Sequence, residues 1–407
     1  MDPESPGSSE PTVDEDGRVI LTGISSRAFE HPADRAALTA LRAVPGFDQI
    51  VKLATGMLRE RQYRLAYLAS AVRVDERQFA DLHRLLGDVV AVLDAPRRPE
   101  LFVYNDPTPN AITLGVDRPF ITMSSGLYEQ MNDDERRFIL GHELGHALSG
   151  HALYQSLLMH LLNLAGSFGW VPAGGLGLRA LIAALREWQR KAELSADRAG
   201  LLATQDVDVS LRVHMKTAAA AHLDQIDSEA FLAQAAEYEA AGDLRDGVLK
   251  LLNTEKTTHP FAVVRAAEVQ RWVATGEYAR ILAGDYPLRT DDRSAGFSDS
   301  AREAARSYKK RIDESTDPLV TAVRGLGSTV GSAADSIFDW FNRRTRGPDE
   351  SSIGETGTEP PNGEIPPDDA PPAPDRPADA QTDSIFDWFE RRDRGGNPDP
   401  PAEPPPA

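Results

Sequence analysis

After a polar start, apolar residues recur at close to the helical period in the first quarter of the chain. Residues from about 25 to 95 read as helices, and within 72–93 the positions Phe79, Leu82, Leu85, Leu86 and Val89 share one face. The spacing then changes. Short apolar runs at 100–104 and 111–123 read as strands of a small sheet. Helical spacing resumes at Asn132, which with Glu135 three residues on forms a capping-box-like start to a run containing Phe138, Ile139 and Leu140. It continues, largely unbroken, to about Ala283. One stretch, 152–178, carries no Asp, Glu, Lys or Arg but is interrupted by Gln155, His160, Asn163, Pro172 and several glycines. It therefore lacks the roughly 20 consecutive apolar residues of a membrane span and reads as a buried helical hairpin, with contact at a membrane surface the less favoured alternative. Together these elements predict an α+β fold, mostly helical with a small sheet.

The periodicity stops at both ends. Residues 1–24 are polar and acidic, with neither the basic start nor the apolar run of a signal peptide, so they are expected to be disordered and the chain cytoplasmic. Near the other end D-S-I-F-D-W-F occurs twice, at 335–341 and 383–389, joined by an acidic proline-rich stretch that cannot bury enough apolar surface to fold. On a helix Ile337, Phe338, Trp340 and Phe341 make one aromatic stripe, and Ile385, Phe386, Trp388 and Phe389 repeat it. Two such stripes on a tether suit a bivalent ligand for the groove of a partner protein, ahead of docking on the chain itself or on a membrane. The expected division is 1–24 without structure, 25–98 helical, 99–290 carrying the candidate chemistry, 291–334 a helical connector and 335–407 a disordered tail.

Composition narrows the chemistry. With 407 residues and 41% hydrophobic content there is material for one sizeable core. The absence of cysteine excludes disulfides and thiolate metal sites. A net charge of −19 argues against nucleic acid as a partner.

The pentapeptide His142-Glu143-Leu144-Gly145-His146 carries the strongest signal. Residues four apart on a helix lie on one face, so both imidazoles can reach one zinc ion, while Glu143, offset round the helix, is placed to accept a proton from an activated water. Three protein ligands with one open position make a catalytic site, and Glu193 is the expected third. Asp197, one turn further, faces the same way and can accept the free ring N–H of a liganding histidine.

At these positions the chain resembles the HtpX-like, CAAX-prenyl-protease-like zinc endopeptidases. Four local patterns carry the resemblance: H-E-L-G-H followed by His151; the E-x-x-A-D of Glu193, Ala196 and Asp197; Thr258-His259-Pro260 with Arg265; and Asn110-Ala111 with Gly115. Their order matches over roughly residues 100 to 270. The resemblance implies a zincin-like fold, one zinc per chain and hydrolysis of protein or peptide substrates with Glu143 as general base. It further implies that His259 and Arg265 help stabilise the oxyanion, and that the backbone at Asn110, Ala111 and Gly115 pairs with an extended substrate. The expected function is a zinc endopeptidase acting on unfolded or damaged proteins; the alternative is a latent or non-catalytic scaffold that recruits partners through its tail. His151 receives no ligand role, and His31, His83, His160, His214 and His222 are assigned to packing or surface.

Overall fold

A computed structural model describes residues 12–42, 47, 51, 60–115, 117–167, 174–220, 222–240 and 261–293. Its sheet runs in the order β1-β2-β4-β3, from β1 (Val72–Arg73), β2 (Glu100–Tyr104), β3 (Ala111–Leu114) and β4 (Phe120–Ser124). β3 and β4 pair antiparallel with Thr113 opposite Ile121, β2 runs parallel to β4, and β1 is antiparallel to β2. The apolar run 111–123 is thus two strands, turned where Gly115 takes a φ of 108°, a region that favours glycine.

Around the sheet, among the described residues, lie α1 (Pro32–Arg42), α2 (Glu60–Ser70), α3 (Ala80–Val92), α4 (Ser125–Gln130), α5 (Asp133–Leu148) and α6 (His151–Ser167). These are followed by α7 (Gly174–Thr204), α8 (Val207–Ala219), α9 (Ser228–Ala240), α10 (Ala262–Ala274) and α11 (Glu277–Leu282). The architecture is the mostly helical α+β one that the spacing predicts. The single helix expected over 72–93 is corrected: Val72 and Arg73 pair with β2, and the helix begins at Ala80. Between them the Asp75 carboxylate accepts the backbone N–H groups of Arg77 and Gln78 at 2.8 and 3.0 Å, a local turn that competes with helical bonding.

One core joins regions that the sequence suggested were separate. Leu21, Leu82, Leu101, Ile121, Phe138, Leu202 and Trp272 pack in the same cluster. Of the N-terminal segment expected to be disordered, residues 12–24 are structured: Leu21 and Ile24 are buried, and Ile24 bridges to Leu288. A second cluster packs Leu157, Leu158 and Leu161 of α6 against Leu181, Leu185 and Trp188 of α7 and Leu41 of α1. Among the described residues no helix is long and apolar enough to cross a membrane. The repeats at 335–341 and 383–389 lie outside the described residues, as does His259.

The close approach of α5 to α7 depends on small residues. A Cβ built on Gly141 would lie 2.5 Å from Cβ of Ala203, and one on Gly145 2.5 Å from Cβ of Ala199. Gly145→Ala is expected to destabilise the protein by about 1–3 kcal/mol, read from denaturant unfolding of the metal-free chain. Alanine would gain about 1 kcal/mol of helix propensity, but neither helix backbone can yield to the overlap without moving the other. An unfolding midpoint equal to or above wild type would contradict this.

Candidate metal centre

The helix that carries the pentapeptide is fixed at its start. Asn132 Oδ1 accepts the Glu135 N–H and Glu135 Oε2 accepts the Asn132 N–H, both at 2.9 Å, a reciprocal capping box. Burial of Phe138 and Leu140 turns the helix so that His142 and His146 point inward, their Nε2 atoms 3.2 Å apart. From α7, Glu193 places Oε2 3.4 Å from Nε2 of His142 and Oε1 3.4 Å from Nε2 of His146. One ligand atom from each of the three buried residues lies within 4.8 Å of the others.

Each imidazole is oriented by its other nitrogen. His142 Nδ1 lies 3.0 Å from Asp197 Oδ1, and because a carboxylate only accepts, Nδ1 carries a proton and Nε2 is the atom that would face an ion at the centre. Asp197 also takes a bidentate pair from Arg265, Nε to Oδ2 at 2.7 Å and Nη2 to Oδ1 at 2.6 Å. Arg265 Nη1 reaches Glu193 Oε2 at 3.2 Å, so one guanidinium balances two buried carboxylates. On the far side of Asp197, His214 sits with Nε2 3.3 Å from Oδ2 while its Nδ1–H donates to the Ser210 carbonyl at 2.7 Å.

The electrostatics follow from this packing. Burial opposes charge on His142, but its bonds to Asp197 and Glu193 outweigh it and hold its pKa up to about 9 in the metal-free chain. His146 is pushed the other way, since its burial outweighs the pull of Glu193. Burial would raise the Asp197 pKa, yet Arg265 and His214 hold it well below the usual carboxylate range. A cation held by these residues would take the place of the proton that His142 otherwise holds.

Glu143 is 1% exposed and follows His142 on the same helix. The Thr113 hydroxyl of β3 lies 2.7 Å from its Oε2 and 2.9 Å from its carbonyl oxygen. Asn110 and Ala111 sit at the start of that same outer strand, where the Asn110 carbonyl accepts the Ser124 N–H at 2.9 Å and Ala111 pairs with Met123. The N–H of Gly115 points toward Ser156 Oγ at 3.3 Å.

A model of peptidase family M48 matches residues 76–273. The plastoglobule-localized metallopeptidase 48, chloroplastic, of Arabidopsis thaliana is 34% identical over 269 residues, which is 65% of this chain and 77% of that protein. The chain belongs to peptidase family M48. Protease HtpX of Xylella fastidiosa (strain M12) and protease HtpX of Xanthomonas campestris pv. campestris (strain B100) are each 27% identical, over 149 and 150 residues, covering 36% of this chain and 50% of each protease. The chain thus spans half the length of these two relatives. No solved structure matches it.

Membership bears out the family resemblance and makes this M48 chain a metallopeptidase. Its donor set fits a divalent ion: two imidazole nitrogens whose partner nitrogens are already engaged, plus a carboxylate, all buried and convergent. The structure brings together His142, His146, Glu193, Asp197 and Arg265, with Glu143 on the same helix as the histidines. Thr113, His214 and His151, to which the sequence assigns no part in the site, touch these groups directly. Thr113 lies inside the segment expected to pair with substrate, His214 is among the histidines expected in packing or at the surface, and His151 has no expected ligand role. The signal for His151 was its place five residues after His146.

Proposed function

We propose that this M48 metallopeptidase is a zinc-dependent endopeptidase in which His142, His146 and Glu193 hold the ion and Glu143 is the general base. The observation that carries this reading is the buried convergence of the three ligand atoms beside a carboxylate that is not one of them. Bound there, zinc supplies Lewis acidity that activates a water and polarises the peptide carbonyl. Glu143 takes the proton of the attacking water and returns it to the leaving amine. Asp197 keeps His142 in the liganding tautomer, and Arg265, committed to Asp197 and Glu193, holds the charge of the ligand set in balance. The backbone of Asn110, Ala111 and Gly115 aligns an extended substrate along β3. His259 keeps the oxyanion role that the resemblance assigns it.

Unfolded or damaged proteins are the substrates we assign, in the cytoplasm, with the tail repeats recruiting a protein partner. Thr113→Val is expected to lower kcat about tenfold with zinc content unchanged. A hydrogen bond to a charged group contributes about 1.5–3 kcal/mol, and each 1.4 kcal/mol is about a factor of ten in rate. An unchanged kcat would remove Thr113 from the machinery. The reading as a whole is tested on the full chain by elemental analysis and by incubation with unfolded casein, with and without chelator. One zinc per chain and cleavage that chelator stops and added zinc restores supports it; stoichiometric zinc without cleavage of casein or a peptide library overturns it.

A further inference from the structure

We propose that Asp34, on the N-terminal helix α1, is a positioning residue for the metal centre, setting the tautomer of the ligand His146 through His151. The inference rests on the reading of His146 as a metal ligand. It comes from a chain of contacts behind that residue. His146 Nδ1 lies 3.0 Å from His151 Nδ1, and His151 Nε2 lies 3.0 Å from Asp34 Oδ2. Asp34 in turn accepts the Trp188 indole N–H on Oδ1 at 2.9 Å and the Ser195 hydroxyl on Oδ2 at 2.6 Å. Asp34, His151, Trp188 and Ser195 are all buried, so water does not supply the missing donors or acceptors.

The direction of each bond can be deduced. Two facing Nδ1 atoms bond only if one is protonated and the other is not. A carboxylate at the end of the chain accepts, so a His151 that holds a single proton carries it on Nε2 and offers a bare Nδ1. His146 must then be protonated on Nδ1, which leaves its Nε2 lone pair facing Glu193. The reverse arrangement would place a proton on Nε2 of His146, where a metal must bind. Asp34 therefore selects, across two imidazoles, the same liganding tautomer that Asp197 selects directly for His142. α1 lies before the segment matched by the family model, which starts at residue 76. The N-terminal helix thus belongs to the metal site as well as to the core.

Asparagine at position 34 reverses the signal. The Trp188 N–H donates and nothing else, so it holds the amide oxygen at the Oδ1 position, and the amide NH2 is turned toward His151 Nε2. His151 must then protonate on Nδ1 and donate toward His146.

The experiment uses the full chain and zinc itself, with affinity read by competition against a chromophoric chelator. Asp34→Asn and His151→Phe are each expected to raise the zinc dissociation constant about 10- to 100-fold, and to shift the visible absorption of the cobalt-substituted protein. Because both act on His146 along one path, the double variant should bind zinc no more weakly than the weaker single one. An unchanged constant and spectrum in Asp34→Asn, or fully additive losses in the double variant, overturns the proposal. A purely structural Asp34 would lower unfolding stability and leave both readouts in place. Nitrogen-15 NMR of the zinc-loaded wild type decides the matter even where a variant does not fold: His151 protonated on Nε2 is expected, and protonation on Nδ1 refutes the relay. His146→Ala tests the premise separately. Full zinc binding by that variant removes the ligand reading, whereas loss of zinc there with normal affinity in Asp34→Asn overturns the relay alone.

Discussion

Glu143→Gln is expected to reduce peptide cleavage by about 10²- to 10⁴-fold, the range supplied by a positioned general base, with one zinc per chain retained. The glutamine amide has nearly the shape of the carboxylate, so it fits the same buried space and can still present an oxygen to the Thr113 hydroxyl. It cannot take up a proton at neutral pH. The proposed ligand set His142, His146 and Glu193 does not include residue 143, so the substitution is expected to leave the ion in place. Initial rates on a quenched fluorescent peptide, normalised to zinc by elemental analysis, would measure the loss. A variant that cleaves within tenfold of wild type would take the base assignment away from Glu143, and one that loses zinc as well would make Glu143 part of the ligand set.

Arg265→Met should produce the largest change in stability, about 3–5 kcal/mol, because removing one partner of a buried ion pair leaves the other uncompensated. Here two carboxylates are left, Asp197 and Glu193, both at 0% exposure. Methionine keeps much of the side-chain volume, so the loss reads out charge and hydrogen bonding more than cavity formation. Denaturant unfolding of the metal-free protein is the appropriate measurement. Saturating zinc should narrow the difference, since the ion places positive charge beside Glu193. A loss below about 1 kcal/mol, the scale of exposed pairs, would mean that His214 and His142 alone suffice to neutralise Asp197.

The convergence of His142, His146 and Glu193 was legible in the sequence because its rule is local. Two histidines four apart and the pair Glu193 and Asp197 four apart each share a helical face before anything is known of the fold. Which cation meets Asp197 was not legible, because that depends on α10 crossing α7, a fact no spacing encodes. The same holds for Asp34, some hundred and more residues from the side chains it orients. Other features have a signature in the sequence. Gly141 and Gly145 repeat at the helical interval, as do Ala199 and Ala203, and matched small residues on two helices are the mark of backbones in close approach. The Asp75 turn likewise interrupts the apolar period that suggested one helix over 72–93.

The hairpin of β3 and β4 has a consequence for how the enzyme can be disarmed. Side chains along β3 alternate between faces, and it is the pairing of Thr113 opposite Ile121 that brings a hydroxyl, and not Ile112 or Leu114, to Glu143. A slip of one residue would exchange the faces of the whole strand. Strand alignment here acts as a vernier: on the proposed reading of Glu143 as general base, a one-residue change in the connection between Leu114 and Phe120 is expected to take the Thr113 hydroxyl away from that base while the proposed metal ligands stay in place.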